Sequence, residues 1–410
     1  MNGSTEAKMD AAIRRARRRR LARHLVRGLN LLAAVFLLFS VSSESWLAVL
    51  VPASSPLTAI ASLLATRTFQ MTTWIGLSVA VVVLIRRRWF CRWVCPTGTC
   101  ADGAAMLGQG LRRRCPRLPP LGQWIAVLTL GGAAVGYPIL LWLDPLALFS
   151  ATFGILSVKE APEIAWSATG MAGILLLSVI WPGAWCGRIC PLGALQDLLS
   201  RAKHVVWRTF ARRTGHKGEE PVAGLSRRVV LGAVAGVVWA AGVRRVRASA
   251  QRPLRPPGAI DEDRFVGVCT RCGNCLRACP TNIIRPDQGE GGIAGLLTPV
   301  LDFSSDYCSE ECTQCTHVCP SGALVPMTPK EKEHASIGLP QVNMDLCLLG
   351  DDRECSICRN WCPYGAITLV FSEVEYTLTP QVDAKKCPGC GACEVACPTA
   401  PAKAIVIRPQ

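Results

Sequence analysis

Histidine and acidic residues are scarce in this chain. Only five of its 410 residues are histidine, and none lies inside an apolar run, which argues against a membrane haem ligated by two histidines. Residues 1–250 hold 10 of the 29 Asp and Glu but 31 of the 45 Lys and Arg. The first 250 residues therefore account for more than the whole net charge of +16.

The basic part of the chain is also its hydrophobic part. Half of all residues are hydrophobic, and the mean hydropathy is +0.29. The arginine-rich run 14–20 directly precedes an apolar run, a position typical of charge that orients a membrane protein. Membrane lipid is therefore an expected partner, and nucleic acid is not.

Five apolar runs divide the first 250 residues, at 29–51, 72–85, 121–143, 165–185 and 229–243. They predict four membrane helices and a shorter fifth one. Arginine clusters follow the second and the fourth run, so the positive-inside rule places the N-terminus and both of these links in the cytoplasm. The fifth crossing then places the remainder of the chain outside.

We therefore predict an α-helical membrane domain, a fifth signal-anchor helix and a separate C-terminal domain. The predicted segments are a basic cytoplasmic tail (1–28), a four-helix membrane domain (29–200), a basic cytoplasmic link (201–228), the signal-anchor helix (229–243), a linker (244–262) and the C-terminal domain (263–410).

Sixteen of the 22 cysteines form four blocks in the C-terminal domain, and each block ends in Cys-Pro. The blocks are Cys269, Cys272, Cys275 and Cys279; Cys308, Cys312, Cys315 and Cys319; Cys347, Cys355, Cys358 and Cys362; and Cys387, Cys390, Cys393 and Cys397. This spacing is typical of [4Fe–4S] ferredoxins, and it disfavours both a disulfide scaffold and zinc. It predicts an α+β domain of two ferredoxin-like modules with four [4Fe–4S] clusters.

A second cysteine motif repeats in the membrane domain. Cys91 and Cys95 precede Pro96, and 95 residues later Cys186 and Cys190 precede a proline in the same way. Both motifs follow an even-numbered apolar run, so their four thiols are expected at one depth, where they suffice for one further [4Fe–4S] cluster. Cys100 and Cys115 either contribute to a second cluster or are free thiols.

The fifth apolar run is similar to a twin-arginine export signal. Ser226-Arg227-Arg228 precedes it and Ala248-Ser249-Ala250 follows it. Such a signal suits a cluster-bearing domain that is exported already folded, although an ordinary basic helix flank is the alternative. The sequence leaves open whether the chain is cut after Ala250 or keeps the helix as an anchor.

These motifs carry a resemblance to two proteins fused in one chain. Residues 70–200 resemble the membrane polyferredoxin subunit, a quinol dehydrogenase, of periplasmic nitrate reductase and methylamine utilisation systems. Residues 226–410 resemble the exported four-cluster ferredoxin of the same systems. The chain departs from the first subunit at residues 201–225, which contain no cysteine where that subunit has cytoplasmic ferredoxin blocks.

The resemblance implies a role in electron transfer at the bacterial inner membrane. Electrons would come from the quinone pool and go to a periplasmic redox protein, a c-type cytochrome or a molybdenum reductase. The alternative is a donor or redox sensor for maturation of a periplasmic metalloenzyme. Glu44 and Asp144 border the outer side, where they are either proton acceptors for quinol or solvated helix ends.

A resemblance to the four-cluster subunits of molybdenum oxidoreductases implies nested pairing of the blocks. The implied ligand sets are Cys269, Cys272, Cys275 and Cys397; Cys387, Cys390, Cys393 and Cys279; Cys308, Cys312, Cys315 and Cys362; and Cys355, Cys358, Cys319 and Cys347. Sequential pairing, block one with two and three with four, is the alternative. In either case roughly 30 Å of hydrocarbon would separate the inner cysteines from the outer ones, and nothing in the sequence bridges that distance.

Overall fold

A helical domain precedes a smaller α+β domain. The computed structural model describes residues 3–39, 46–108, 119–154, 161–213, 227–247, 252–351, 353–373 and 376–409. The helices of the first domain are α1 (Gly3–Phe39), α2 (Leu50–Ala53), α3 (Pro56–Thr66), α4 (Met71–Ile85), α5 (Trp89–Trp93), α6 (Pro96–Leu107), α7 (Leu121–Ala134), α8 (Pro145–Gly154), α9 (Ala161–Ile180), α10 (Pro191–Arg213) and α11 (Arg227–Arg247). A 3₁₀ turn covers Trp46–Val49, another covers Leu141–Leu143, and a π turn covers Trp185–Ile189.

The α+β domain has short elements around cysteine-bearing loops. Its helices are α12 (Glu262–Val268), α13 (Asn274–Ala278), α14 (Gln314–His317), α15 (Pro329–Lys332), α16 (Ile357–Asn360) and α17 (Ala392–Ala396). Its strands are β1 (Ile284–Pro286), β2 (Pro299–Leu301), β3 (Leu339–Val342), β4 (Ile367–Ser372), β5 (Thr377–Val382) and β6 (Ile405–Arg408). They pair antiparallel as β1 with β2, β3 with β6 and β4 with β5.

The apolar runs do not each form one straight helix. Helix α1 includes the basic tail and ends at Phe39, and the rest of the first run belongs to the turn Trp46–Val49 and to α2. Segment Ile13–Phe39 is long and apolar enough to cross a bilayer; the pair α2–α3, bent by 90°, adds a second candidate span if it is counted as one broken helix. Three shorter apolar helices are Met71–Ile85, Leu121–Ala134 and Ala168–Ile180.

Helix α11 packs directly against α7 through glycine. A Cβ placed on Gly236 would lie 2.4 Å from the carbonyl oxygen of Leu128, and one on Gly131 would lie 2.3 Å from that of Ala233. Backbone approach of this kind is typical of small-residue packing between membrane helices. Arg244 then donates to the carbonyl oxygen of Val135 at 3.0 Å, where α7 ends. Helix α11 is therefore an integral part of the helical domain.

The α+β domain lies against one end of the helical domain. Asn274 at the start of α13 donates to the carbonyl oxygen of Ala48 at 3.3 Å, and the Arg271 guanidinium stacks 5.2 Å from the Trp142 ring. Gly267 in α12 leaves room for Tyr137, whose ring would lie 2.9 Å from a Cβ at that position. One continuous apolar core runs through both domains.

Replacing Gly236 by Leu should separate α11 from α7, because the side chain has no space beside Leu128. We expect a loss of about 1–3 kcal/mol of stability from overpacking, measured as a lower Tm of the detergent-solubilised chain. Gly242→Leu is the matched control in the same helix, since a Cβ there meets nothing within 4 Å. An equal Tm for both variants would contradict this packing.

Candidate metal centres

The repeated motif of the helical domain has the same geometry in both copies. Cys95 lies at the N-cap of α6 and accepts a hydrogen bond from Gly98 N at 3.4 Å. Cys190 lies just before α10 and accepts one from Gly193 N at 3.5 Å. The proline after each cysteine starts the helix, where a missing N–H costs nothing. The sequence repeat is thus a structural repeat.

The two copies face each other around one cavity of about 190 Å³, whose wall includes four thiols. We call Cys91, Cys95, Cys186 and Cys190 the helical quartet. Cys100 is not part of this wall, and Cys115 lies outside the described residues. The geometry therefore favours one cluster here.

Polar groups around the helical quartet suit a bound anion with sulfur acceptors. Gln196 Nε2 donates to Cys91 Sγ at 3.0 Å, and Trp185 Nε1, which is buried, has no protein partner among the described residues. Arg27 lines the cavity and forms an ion pair with Asp102 at 2.6 Å. An unpaired buried donor is costly, and a sulfide-rich cluster would accept its hydrogen bond.

Asp144 is a buried helix cap and not a solvated helix end. Its side chain is fully buried, its Oδ1 accepts from Leu146 N at 2.9 Å, and its Oδ2 accepts from the hydroxyl of Ser55. It thus fixes the first turn of α8 against the N-terminus of α3. The following residue, Pro145, lines the cavity of the helical quartet. Glu44 lies outside the described residues.

The α+β domain brings blocks one and two together. The thiols of Cys269, Cys272 and Cys275 interact electrostatically with Cys319, which closes block two. Burial raises the pKa of Cys269 to about 12 and raises that of Cys275 as well. We call these four residues quartet 1. Quartet 2 consists of Cys279, Cys308, Cys312 and Cys315, which line one cavity.

Blocks three and four pair in the same way. Cys347, Cys355, Cys358 and Cys397 line one cavity and form quartet 3. Cys362 joins Cys387, Cys390 and Cys393 as quartet 4. Burial raises the pKa of Cys390 to about 12. Burial also opposes ionisation of Cys397, but hydrogen bonds from Thr399 and from the backbone of Ala404 and Ile405 together outweigh it and lower the pKa of that thiol.

The nested pairing was therefore wrong, and the sequential alternative describes the structure. Cys397 lies with block three and not with block one, and Cys279 lies with block two and not with block four. The reason is local: each pair of successive blocks forms a compact ferredoxin-like module, in which the fourth cysteine of one block reaches the other block's site.

The five quartets suit clusters better than single ions. All 21 described cysteines are free thiols, and no three His, Cys, Asp or Glu side chains in the described ranges converge on one metal ion. Four sulfurs around one zinc ion, at about 2.3 Å from it, would lie only about 3.8 Å apart. A similar buried donor lies in the α+β domain: the hydroxyl of Tyr364 is near Cys308 and Cys390 and has no hydrogen-bond partner among the described residues.

Contacts between quartets set their order in space. Cys275 of quartet 1 interacts with Cys315 of quartet 2. Cys308 N donates to Cys390 O at 2.9 Å, which joins quartet 2 to quartet 4. Cys393 of quartet 4 then interacts with Cys358 of quartet 3. The order is 1, 2, 4, 3, and quartet 1 is the one nearest the helical domain.

Helix α8 bridges the helical quartet and quartet 1. Its first residue, Pro145, lines the helical cavity, and Ser150 donates to Asn274 Oδ1 at 3.0 Å, next to Cys275. Five residues of helix rise only about 7.5 Å. Arg277 completes the contact by donating to Leu38 O at 3.0 Å and to Ser150 Oγ at 3.2 Å. We call Ser150, Asn274 and Arg277 the junction.

The sequence did not reveal the role of the three junction residues. It also did not reveal Trp185 and Gln196 beside the helical quartet, or Lys332, a buried lysine beside quartet 2. The sequence also did not reveal that α8 reaches from the cavity of the helical quartet to the junction. The separation of roughly 30 Å itself stays a prediction. The sequence around Asn274 and Cys275 gives no sign of a contact with the helical domain. Only the packed structure reveals that Asn274 makes one.

Two families match this chain, each in two segments. The 4Fe-4S binding domain matches residues 68–115 and 164–213, and the 4Fe-4S dicluster domain matches residues 268–323 and 353–400. The first pair of segments contains the two copies of the helical-domain motif. The second pair contains blocks one and two in its first segment, and block four with all of block three except Cys347 in its second.

Several curated proteins are similar to part of this chain. The methylamine utilization ferredoxin-type protein MauM of Methylorubrum extorquens is 36% identical over 172 residues, which are 40% of this chain and 76% of the relative. The ferredoxin-type protein NapG of Escherichia coli is 35% identical over 186 residues, 40% of this chain and 75% of the relative. The ferredoxin-type protein NapF of Escherichia coli is 32% identical over 150 residues, which are 36% of this chain and 82% of the relative. No solved structure matches.

Single Cys→Ser variants should show which thiols share a cluster. We expect C319S and C272S to alter the same EPR signal of the reduced chain, and C397S and C355S to alter a second one. Nested pairing instead predicts that C397S and C272S act on one signal. Iron analysis should give about 20 atoms per chain if all five quartets bind four iron atoms each.

Proposed function

We propose a specific role for this chain, which belongs to the ferredoxin-type iron–sulfur electron-transfer proteins related to MauM and NapG: it takes electrons from membrane quinol and delivers them to a redox protein in the periplasm. The observation that carries the proposal is the short bridge between the helical quartet and quartet 1. Bound [4Fe–4S] clusters would supply one-electron transfer at five places. The protein's own residues fix those places and insulate them from water.

Exposed apolar side chains support placement of the helical domain in a bilayer. Leu32, Phe36, Trp74, Leu176 and Val238 are between 62% and 68% exposed. They lie on α1, α4, α9 and α11, four different helices of the domain. A soluble protein rarely leaves such a set in water, and lipid would cover it. In this proposal α4 and α7, which are shorter than a full membrane-spanning helix, also lie in the bilayer.

Charge supports one orientation of this domain. Helix α4 begins beside the α+β domain, since Gln70 contacts Gly322, and it ends at Arg86. Arg87 and Arg88 form ion pairs with Asp197 of α10 at 2.8 and 2.6 Å. The arginine-rich end thus lies opposite the α+β domain. The positive-inside rule puts that end in the cytoplasm and the α+β domain in the periplasm.

Helix α11 serves as a retained anchor in this proposal. It runs parallel to α7, because Gly232 lies beside Trp124 and Arg244 beside Val135. Removing it would expose the glycine surface of α7 to lipid and would release the α+β domain. The segment Ala248–Ala250, where a signal peptidase would cut, lies outside the described residues.

The positions of the quartets support a direction of electron transfer, from the helical quartet to quartet 3. Arg23 and Arg27 of α1 form part of the wall of the helical quartet's cavity, and in this proposal a quinol from the bilayer reaches the quartet beside α1. Quartet 3 lies at the far end of the contact order, and its Cys347, Cys355 and Cys358 are only partly buried. A periplasmic redox protein, such as a c-type cytochrome or a molybdenum reductase, would receive electrons there.

Trypsin accessibility tests the orientation. We expect trypsin added to spheroplasts to cut at the exposed pair Lys385–Lys386 of a chain that runs at 44.1 kDa before digestion. Inside-out vesicles should protect this pair and expose Arg201 instead. The control is the double variant K385A/K386A, which should remove the first cleavage. The reverse pattern, or a shorter chain before digestion, would contradict the proposal.

Loss of Asn274 tests the junction. Its side chain binds Ala48 O and Val318 O, both at 3.3 Å, and accepts from Ser150. Breaking buried hydrogen bonds costs about 1–3 kcal/mol, enough to weaken docking about tenfold or more. N274A should therefore slow quinol-driven reduction of the α+β domain about tenfold in stopped-flow absorbance.

Two controls define that result. Dithionite should reduce N274A as fast as the unaltered chain, because it acts on the α+β domain directly. Asn360→Ala should change neither rate, since Asn360 is exposed on α16 and its amide donates only within that helix, to Ser356 at 3.1 Å. Equal quinol rates for N274A and the unaltered chain would show that electrons do not use this contact.

A further inference from the structure

Lys332 is a fully buried lysine at quartet 2. It ends the short helix α15, whose start is fixed by a capping box between Thr328 and Glu331. Its Nζ donates to Cys312 O at 2.7 Å and to Ser309 O. Both acceptors belong to the loop that carries the thiols of block two. The ammonium group thus lies directly behind Ser309 and Cys312, two residues that line the cavity of quartet 2.

A buried ammonium group needs a counter-charge. Two carbonyl oxygens satisfy hydrogen bonds but carry no net charge, and moving a charge out of water costs several kcal/mol unless an opposite charge compensates. Among the described residues of the α+β domain, the ion pairs are those of Arg255 and Arg285, and neither includes Lys332. The thiols of Cys308 and Cys315 are within its electrostatic reach.

We propose that Lys332 is the counter-ion of the cluster in quartet 2 and raises its reduction potential above those of quartets 1, 3 and 4. This inference rests on the proposed binding of a cluster by that quartet. A cluster held by four thiolates is an anion, and one-electron reduction adds a further negative charge. A fixed positive charge beside it stabilises the reduced form more than the oxidised form.

The other quartets lack an equally buried cation among the described residues. Lys403 donates to Cys397 O beside quartet 3, but it is only partly buried, so water screens its charge. Arg271 and Arg277 lie near thiols of quartet 1, but both side chains are only partly buried, so water screens their charge as well. Quartet 2 lies second in the contact order, so a raised potential there would hold the electron that leaves quartet 1.

An EPR-monitored redox titration of the complete chain tests this role. In K332M, the ratio of reduced to oxidised cluster in quartet 2 should fall at least tenfold at a given potential, which is about 59 mV for one electron. K332R keeps the charge and should retain most of the effect. Lys330→Met is the matched control, because Lys330 is exposed on the same helix. The C312S variant identifies the signal of quartet 2.

The outcomes separate the inference from the function on which it rests. An unchanged potential in K332M with full iron content overturns the role of Lys332. If K332M loses iron, the unaltered chain decides: the signal altered by C312S must be the first to appear on reduction, and a later appearance overturns the inference. Absence of any signal that C312S alters would instead contradict cluster binding by quartet 2.

Discussion

The contact between α8 and α13 is the interaction on which the rest of the arrangement depends. Buried Asp144 fixes the start of α8 at the helical quartet, and Ser150 meets Asn274 about 7.5 Å further along the helix axis. Electron tunnelling weakens exponentially with distance, so the proposed transfer depends on how closely this contact holds the two sets of thiols. Without this contact, the two sets of thiols would be separate sites in one chain.

The thiols themselves need this packing. Burial raises the pKa of Cys269 and Cys390 to about 12, so both are protonated near neutral pH until iron replaces the proton. Backbone N–H groups then stabilise the ligated form, as Ala366 does at 3.3 Å from Cys362 Sγ. Folding of the α+β domain and loading of its clusters are therefore one process.

Cysteine spacing revealed the ligands but not their partners. The sixteen block cysteines and the two copies of Cys-x3-Cys-Pro could be found in the sequence because cluster chemistry requires those spacings. Which block receives Cys319 or Cys397 depends on how loops fold in space, and spacing is silent on that. Lys332 also has no local signature: its helix looks solvated, and Lys330 beside it is exposed. The apolar pattern also did not reveal the break between α2 and α3, where Ser55 caps α3 and Pro56 begins it.

The hydrogen bonds of the junction are only part of the contact between the two domains. Arg271 stacks on Trp142, Gly267 packs against Tyr137, and one apolar core runs through both domains. Fusion in one chain helps to keep all of these contacts formed. Helix α11 packs along α7 and delivers the chain to the same end of the helical domain as the junction. A short tether of this kind gives an effective concentration on the order of millimolar, so weak contacts remain occupied. The glycine packing of α11 and the hydrogen bonds of Asn274 thus act together. The first keeps the α+β domain near the helical domain, and the second fixes its position relative to the helical quartet.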